Sequence, residues 1–236
     1  MTFTGSASEA LALALSSELS DAGALLTTAA EHRGARALAN RHQAAGGSVE
    51  LIPVSASGAW HLDGLRSRPN AVGLLAISSG ELGTEQDLAA LRTLWPESDS
   101  GALILDAVQA VASRALRFSE TGATHLVIGS AKLEGPAGIA ALISAPDRRL
   151  KPLVPGGGQE RGRRGGTEAV PLAAAFAHAV TLSAREREGT RRHLNALSSA
   201  FDDALGAPEG HGLRRTGPAD RTNRLPGHHS YAASWV

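Results

Sequence analysis

Lys132 follows the run HLVIGSA (125–131), and Asp106 closes the apolar run ALIL (102–105). A lysine at the end of a buried segment is either a solvated surface amine or a partly desolvated one. The second kind has a lowered pKa and can condense with a carbonyl. A carboxylate at the end of a buried run needs a partner: a helix terminus, a salt bridge or a bound cation. GSAS (5–8) precedes a helix-like segment. Free N–H groups and the positive end of a helix dipole suit a phosphate there, and the same residues equally serve as an ordinary N-cap. GGGQERGRRGGT (156–167) reads as a solvated basic loop or an anion site. It is not a dinucleotide fingerprint, because no G-x-G-x-x-G lies between a strand and a helix.

A phosphate cup, an amine able to bond an aldehyde and a carboxylate able to hold a pyridinium proton are together what pyridoxal 5'-phosphate requires of a protein. The other lysine, Lys151, lies in the polar run PDRRLKP, far from any carboxylate at a strand end. The chain has no cysteine, which excludes disulfides, thiolate metal sites and a thiol nucleophile. His228 and His229 are adjacent, so on a strand they point to opposite faces and no metal site is expected.

These groups must be held by something. The 236 residues, 42% hydrophobic, suffice for one large domain or a domain and a half. Helix-like and strand-like segments alternate. Helices are expected at 7–19 (opened by Ser6 or Ser8), 31–45 and 86–95, the last closed by Pro96. Strands are expected at 25–28, 49–54, 71–78, 102–109, 125–132 and 138–145. WHLDGLRS (60–67) starts a short helix or turn, 155–167 is a loop, 168–205 is mainly helix and 208–224 is loop-like. RLPGHHSYAASWV (224–236) begins like a strand with no visible partner, an unfavourable state for its backbone groups. Continuous apolar runs alternating with helices imply an α/β fold with a mostly parallel sheet. Ligands in such sheets bind at the strand ends.

The chain resembles the cysteine desulfurase (NifS/IscS) branch of the class V aminotransferase family. FTGSASEALALAL (3–15) resembles F-T-S-G-A-T-E-x-x-N, and TTAAEHRGA (27–35) resembles T-x-x-E-H. SGELGTEQDL (79–88) resembles N-N-E-x-G-x-x-Q-D, and LDAVQAVA (105–112) resembles V-D-A-x-Q-x-x-G. GSAKLEGPAGIAAL (129–142) resembles S-x-H-K-x-x-G-P-x-G-x-G-A-L, and GGGQERGRRGGTEAV (156–170) resembles G-G-G-x-E-x-x-x-R-x-G-T. RLPGHHSY (224–231) resembles the first small-domain strand.

The resemblance implies a fold type I large domain over residues 1–167, then a helical connection and the start of a small domain over 168–236. It implies pyridoxal 5'-phosphate as cofactor, with Lys132 as Schiff-base lysine and His32 stacked on the ring. Asp106 then lies at the pyridine nitrogen and Gln109 at the ring hydroxyl. Ala7, Ser8 and Ser130 lie around the phosphate, and Thr167 reaches the phosphate of the neighbouring subunit of a homodimer. The family reaction is L-cysteine to L-alanine with sulfur passed to an acceptor.

Departures from the pattern are Gly80 for an asparagine near the cofactor, and Gly129 and Ala131 for a phosphate-binding serine and histidine. The resemblance further implies that an N-terminal arm, the nucleophilic cysteine loop and a substrate-binding arginine all lie outside these 236 residues. Impaired desulfurase, another class V transamination or lyase reaction, and a non-catalytic family member or gene fragment are thus the expectations. Zero net charge argues against a nucleic-acid partner, no apolar run is long enough to span a membrane, and the start lacks signal-peptide features, so a cytoplasmic protein is expected.

Overall fold

The computed structural model describes residues 1–19, 23–63, 65, 70–95 and 101–233. The elements are β1 (Thr2–Thr4), α1 (Ala7–Glu18), β2 (Ala24–Thr28), α2 (Arg33–Ala44), β3 (Ser48–Ile52), β4 (Ala71–Ala76), α3 (Leu88–Leu94) and β5 (Leu103–Asp106). The single turns α4 (Ala110–Ser113) and α5 (Phe118–Thr121) come next, then β6 (His125–Gly129), β7 (Ala140–Ser144) and the single turn α6 (Gln159–Gly162). The long α7 (Val170–Leu205) leads to β8 (Leu213–Arg215) and β9 (Tyr231–Ala233).

Seven strands form one sheet in the order β1-β7-β6-β5-β4-β2-β3. Only β7 runs against its neighbours. The C-terminal ends of β1, β2, β4, β5 and β6 therefore lie along one edge. Expectation and structure agree on an α/β fold with a mostly parallel sheet.

The continuous apolar runs have a direct cause. Val72, Leu74, Ile104 and Val127 face α1, against Leu11, Ala14 and Leu15. Leu75, Ile77, Leu103, Leu105 and Leu126 face the other layer, with Leu91 and Trp95. Strands covered on both faces have no polar face to alternate with. Leu133, Ile139, Ala141, Phe176 and Ala179 form a third cluster, under the start of α7.

At the edge opposite the strand C-termini, His125 is fully buried. Its Nε2 lies 2.8 Å from Glu18 Oε1 and its Nδ1 2.9 Å from Ser144 Oγ, which ties the end of α1 to β6 and β7.

Three sequence expectations are corrected. The strand expected through Ser130–Lys132 stops at Gly129, and Ser130–Leu133 form a 3-10 turn. Residues 224–230 form no strand, and β9 is not alone, because it pairs antiparallel with β8. Strand β8 itself lies within 208–224, where a loop was expected. That small sheet is tied to α7 through Asp202, which accepts hydrogen bonds from Arg215 (2.8 Å), Arg221 (2.9 Å) and Arg224 (3.4 Å). Of the segment expected to open at Trp60, residues 64, 66 and 67 lie outside the described residues, as do Pro96 and the last three residues of the chain.

Candidate active site

The strand C-termini carry the residues whose chemistry the sequence singles out. Helix α1 opens there. Ser6 is its N-cap, the hydroxyl accepting the Glu9 N–H at 3.1 Å. Glu9 accepts the Gly5 N–H at 2.8 Å and is paired with Arg164 at 2.9 Å. That arginine belongs to the glycine-rich loop, so the loop is clamped to the start of α1. A second clamp is Glu160, held with positive φ (47°), whose carboxylate accepts the Phe3 N–H at 3.1 Å. The first-turn N–H groups of Ala7 and Ser8 have no acceptor among the described residues.

The start of α1 meets the ends of β5 and β6. A Cβ on Gly129 would lie 3.5 Å from Val108 and 3.8 Å from Ala7, so these three residues wall one small space. Ser130, next along the chain, is fully buried, and its hydroxyl has no hydrogen-bond partner among the described residues. Ser8 reaches toward α2. A Cβ on Gly34 would lie 3.1 Å from Ser8 Oγ and 3.2 Å from His32 Nδ1. His32 is the N-cap of α2, its Nδ1 accepting the Gly34 N–H at 3.1 Å, which leaves Nε2 as the protonated nitrogen of the neutral ring.

Asp106 ends β5 and is 9% exposed. Its Oδ1 accepts the Val108 N–H at 2.9 Å, and no cationic side chain pairs with it among the described residues. Burial pushes its carboxyl above the usual range, against the pull of the Val108 N–H and of His32.

A second carboxyl, which the sequence marks only by its place in the Glu-His stretch, lies beside it. Glu31 is 3% exposed. It accepts the Thr28 hydroxyl and the Ala76 N–H, each at 2.9 Å, so it joins the ends of β2 and β4 immediately before His32. Burial pushes its pKa up to about 8, and the charge of Asp106 adds to the rise.

Gln109 and Lys132 look toward α7. The side chain of Gln109 fills the space left by Gly80, where a Cβ would come within 2.7 Å of Gln109 Nε2. The Gly80 carbonyl accepts a hydrogen bond from His228 Nε2 at 3.0 Å. Lys132 is exposed, makes no hydrogen bond or ion pair among the described residues, and lines a groove against α7 with Glu134, His178 and Arg187. Thr167 stands apart, in a cavity of about 270 Å³ with Phe3, Gly5 and Glu160. Within one chain, then, Ala7, Ser8, His32, Asp106 and Gly129 converge, while the Ser130 hydroxyl turns toward Gly135 on the α7 side. Gln109 and Lys132 flank them on the α7 side, and Thr167 does not join them.

A doubly covered, mostly parallel sheet defines an α/β protein, a class whose ligands bind at the strand C-termini. Residues 1–225 match the family model described as aminotransferase class-V, and the chain belongs to that family. It is 35% identical over 187 residues to a mitochondrial cysteine desulfurase of Candida albicans, covering 77% of this chain and 38% of that protein. It is 33% identical over 211 residues to a cysteine desulfurase of Gluconacetobacter diazotrophicus, covering 86% of this chain and 50% of that protein. The chain thus spans half or less of the length of these curated relatives. The apo structure of a cysteine desulfurase from Thermococcus onnurineus superposes with a TM-score of 0.85 at 20% identity, over 99% of this chain and 63% of that one, a likeness of fold. No helix among the described residues is long and apolar enough to cross a membrane.

Proposed function

We propose that the chain binds pyridoxal 5'-phosphate at this sheet edge, with Lys132 as the residue that bonds it. The observation that carries this reading is Asp106, a buried carboxylate at a strand end with one N–H partner and no cationic partner among the described residues. A protonated ring nitrogen supplies the missing partner, and the close opposite charges favour both ionised forms. The surroundings fit the rest of the group. The unused N–H groups of Ala7 and Ser8 suit phosphate oxygens, and the bare Gly129 leaves room between Val108 and Ala7.

In this reading His32 covers one face of the ring, Gln109 donates to the ring hydroxyl, and Glu31 stays protonated at neutral pH, so that a single negative charge faces the ring nitrogen. The family is pyridoxal-phosphate dependent, and the group when bound supplies an electron sink for amino-acid chemistry. Gly129 and Ala131 remove two polar contacts to phosphate relative to the family pattern. Each such loss costs about 1–3 kcal/mol of binding.

Transfer of sulfur from L-cysteine needs a thiolate to take it, and this chain has none. A transamination or lyase step that uses no protein thiol is the second reading, and a non-catalytic family member is the third. We further propose a homodimer in which Thr167 of each chain completes its neighbour's phosphate site, since Thr167 lies outside the cluster in its own chain. The cofactor domain ends at 167, and the C-terminal segment opens at 168 with the approach to α7.

Titration of the purified chain with pyridoxal phosphate tests the reading. A saturable visible absorption band is expected, weakened at least tenfold in affinity in Asp106→Ala. A spectrum equal to the sum of free cofactor and protein overturns it.

A further inference from the structure

Helix α7 carries two arginines one turn apart, Arg187 and Arg191, on the face toward α4. Both line a cavity of about 240 Å³ whose other walls include Gln109, Ser113, Thr190 and Leu225. No carboxylate among the described residues lines it. Neither arginine makes an ion pair among the described residues, although Arg185, Arg215, Arg221 and Arg224 all do. The Nε of Arg187 is buried and has no hydrogen-bond partner among the described residues. Like charges four residues apart on a helix repel, and a buried N–H of a charged group left unpaired costs free energy. Both costs are relieved by one oxyanion between the guanidiniums, which present planar pairs of donors suited to carboxylate or phosphate oxygens.

Arg191 also borders a groove with Glu85, Asp87 and Asp220, and Arg187 one with Glu134 and Glu186, but none of these carboxylates pairs with either arginine among the described residues. Glu85 accepts the Ser113 hydroxyl at 2.9 Å and is not part of the cavity wall. Glu186 lines the adjoining groove and lies 3.4 Å from Arg185. We propose that the Arg187–Arg191 cleft is a binding site for the oxyanion group of a small ligand, a carboxylate or a phosphate. Arg187 also lines the groove that holds Lys132, and Gln109 is in the cleft wall, so a bound oxyanion lies beside the proposed cofactor site. The cleft is built from its own residues and needs no cofactor.

The test is an NMR titration of the full chain without pyridoxal phosphate, following the Nε–H signal of Arg187, assigned by its loss in Arg187→Lys. Succinate and inorganic phosphate are added in separate arms at constant ionic strength, with chloride as the third. A saturable shift with succinate, phosphate or both is expected, the arm that saturates naming the anion. In Arg191→Gln the affinity should fall at least fivefold, and Arg191→Lys should retain part of it. Shifts that are linear and alike in all three arms, or unchanged affinity in a folded Arg191→Gln, overturn the proposal. Because no cofactor is present, failure here is separate from failure of the spectral titration above.

Discussion

The two buried carboxyls at the strand ends differ in what pH does to them. The pKa of Glu31 is raised to about 8 in the folded chain from an ordinary value of 4.5. A folded state that binds the proton more tightly is stabilised at low pH and loses that advantage as pH rises from about 4.5 through 8. Glu31→Gln keeps an acceptor for Ala76 and removes the ionisation. Its unfolding free energy should match wild type near pH 4 and exceed it by a few kcal/mol near pH 9, since a folded pKa one higher than the unfolded value is worth about 1.4 kcal/mol. Denaturant curves at the two pH values check this, and equal differences at both refute it. His125 makes a different prediction. Glu18→Ala leaves a fully buried ring nitrogen unpaired and should cost about 1–3 kcal/mol by the same measurement. Asp106 and Lys132 were legible in the sequence because each ends an apolar run. Glu31 was legible only as a letter in a motif, because its burial comes from the pairing of β2 with β4, segments 47 residues apart in the Ala24–Ala71 register.

Among elements, the three strands β4, β5 and β6 are written in the sequence because two covered faces demand unbroken apolar residues. Strands β8 and β9 are three residues each, with Leu-Arg-Arg in one, and carry no such pattern. What fixes them is Asp202. Partial burial works against its ionisation, but the hydrogen bonds from Arg215 and Arg221 hold its pKa at about 2. A lowered folded pKa gives stability that is present above the ordinary carboxylate range and lost as pH falls from about 4 toward 2. Hydrogen exchange at residues 213–215 and 231–233 should therefore rise over that interval before the seven-stranded sheet opens. Asp202→Ala should show the same fast exchange already at pH 7. Protection equal to wild type in that variant means that β8 and β9 are held by packing alone.

For the molecule as a whole, the fold was legible from alternation and order, while the chemistry was legible only as far as the residues present. Asp106, His32, Gln109, Lys132 and Thr167 are the residues proposed to hold the cofactor, and these 236 residues contain no thiol. Incubated with pyridoxal phosphate and L-cysteine, the chain should release no more sulfide than the cofactor does alone. Catalytic sulfide release would mean that sulfur leaves by a route that uses no protein thiol. Lys132 faces α7 while Asp106 faces His32, so the proposed site requires the cofactor to span the two. The direct measurement is borohydride reduction of the chain saturated with pyridoxal phosphate, with peptide mapping of the product. The phosphopyridoxyl group is expected on Lys132 in near-stoichiometric amount, and greatly reduced in Asp106→Ala. Label on Lys151, or no label with excess cofactor, contradicts the assignment of this sheet edge as a pyridoxal phosphate site.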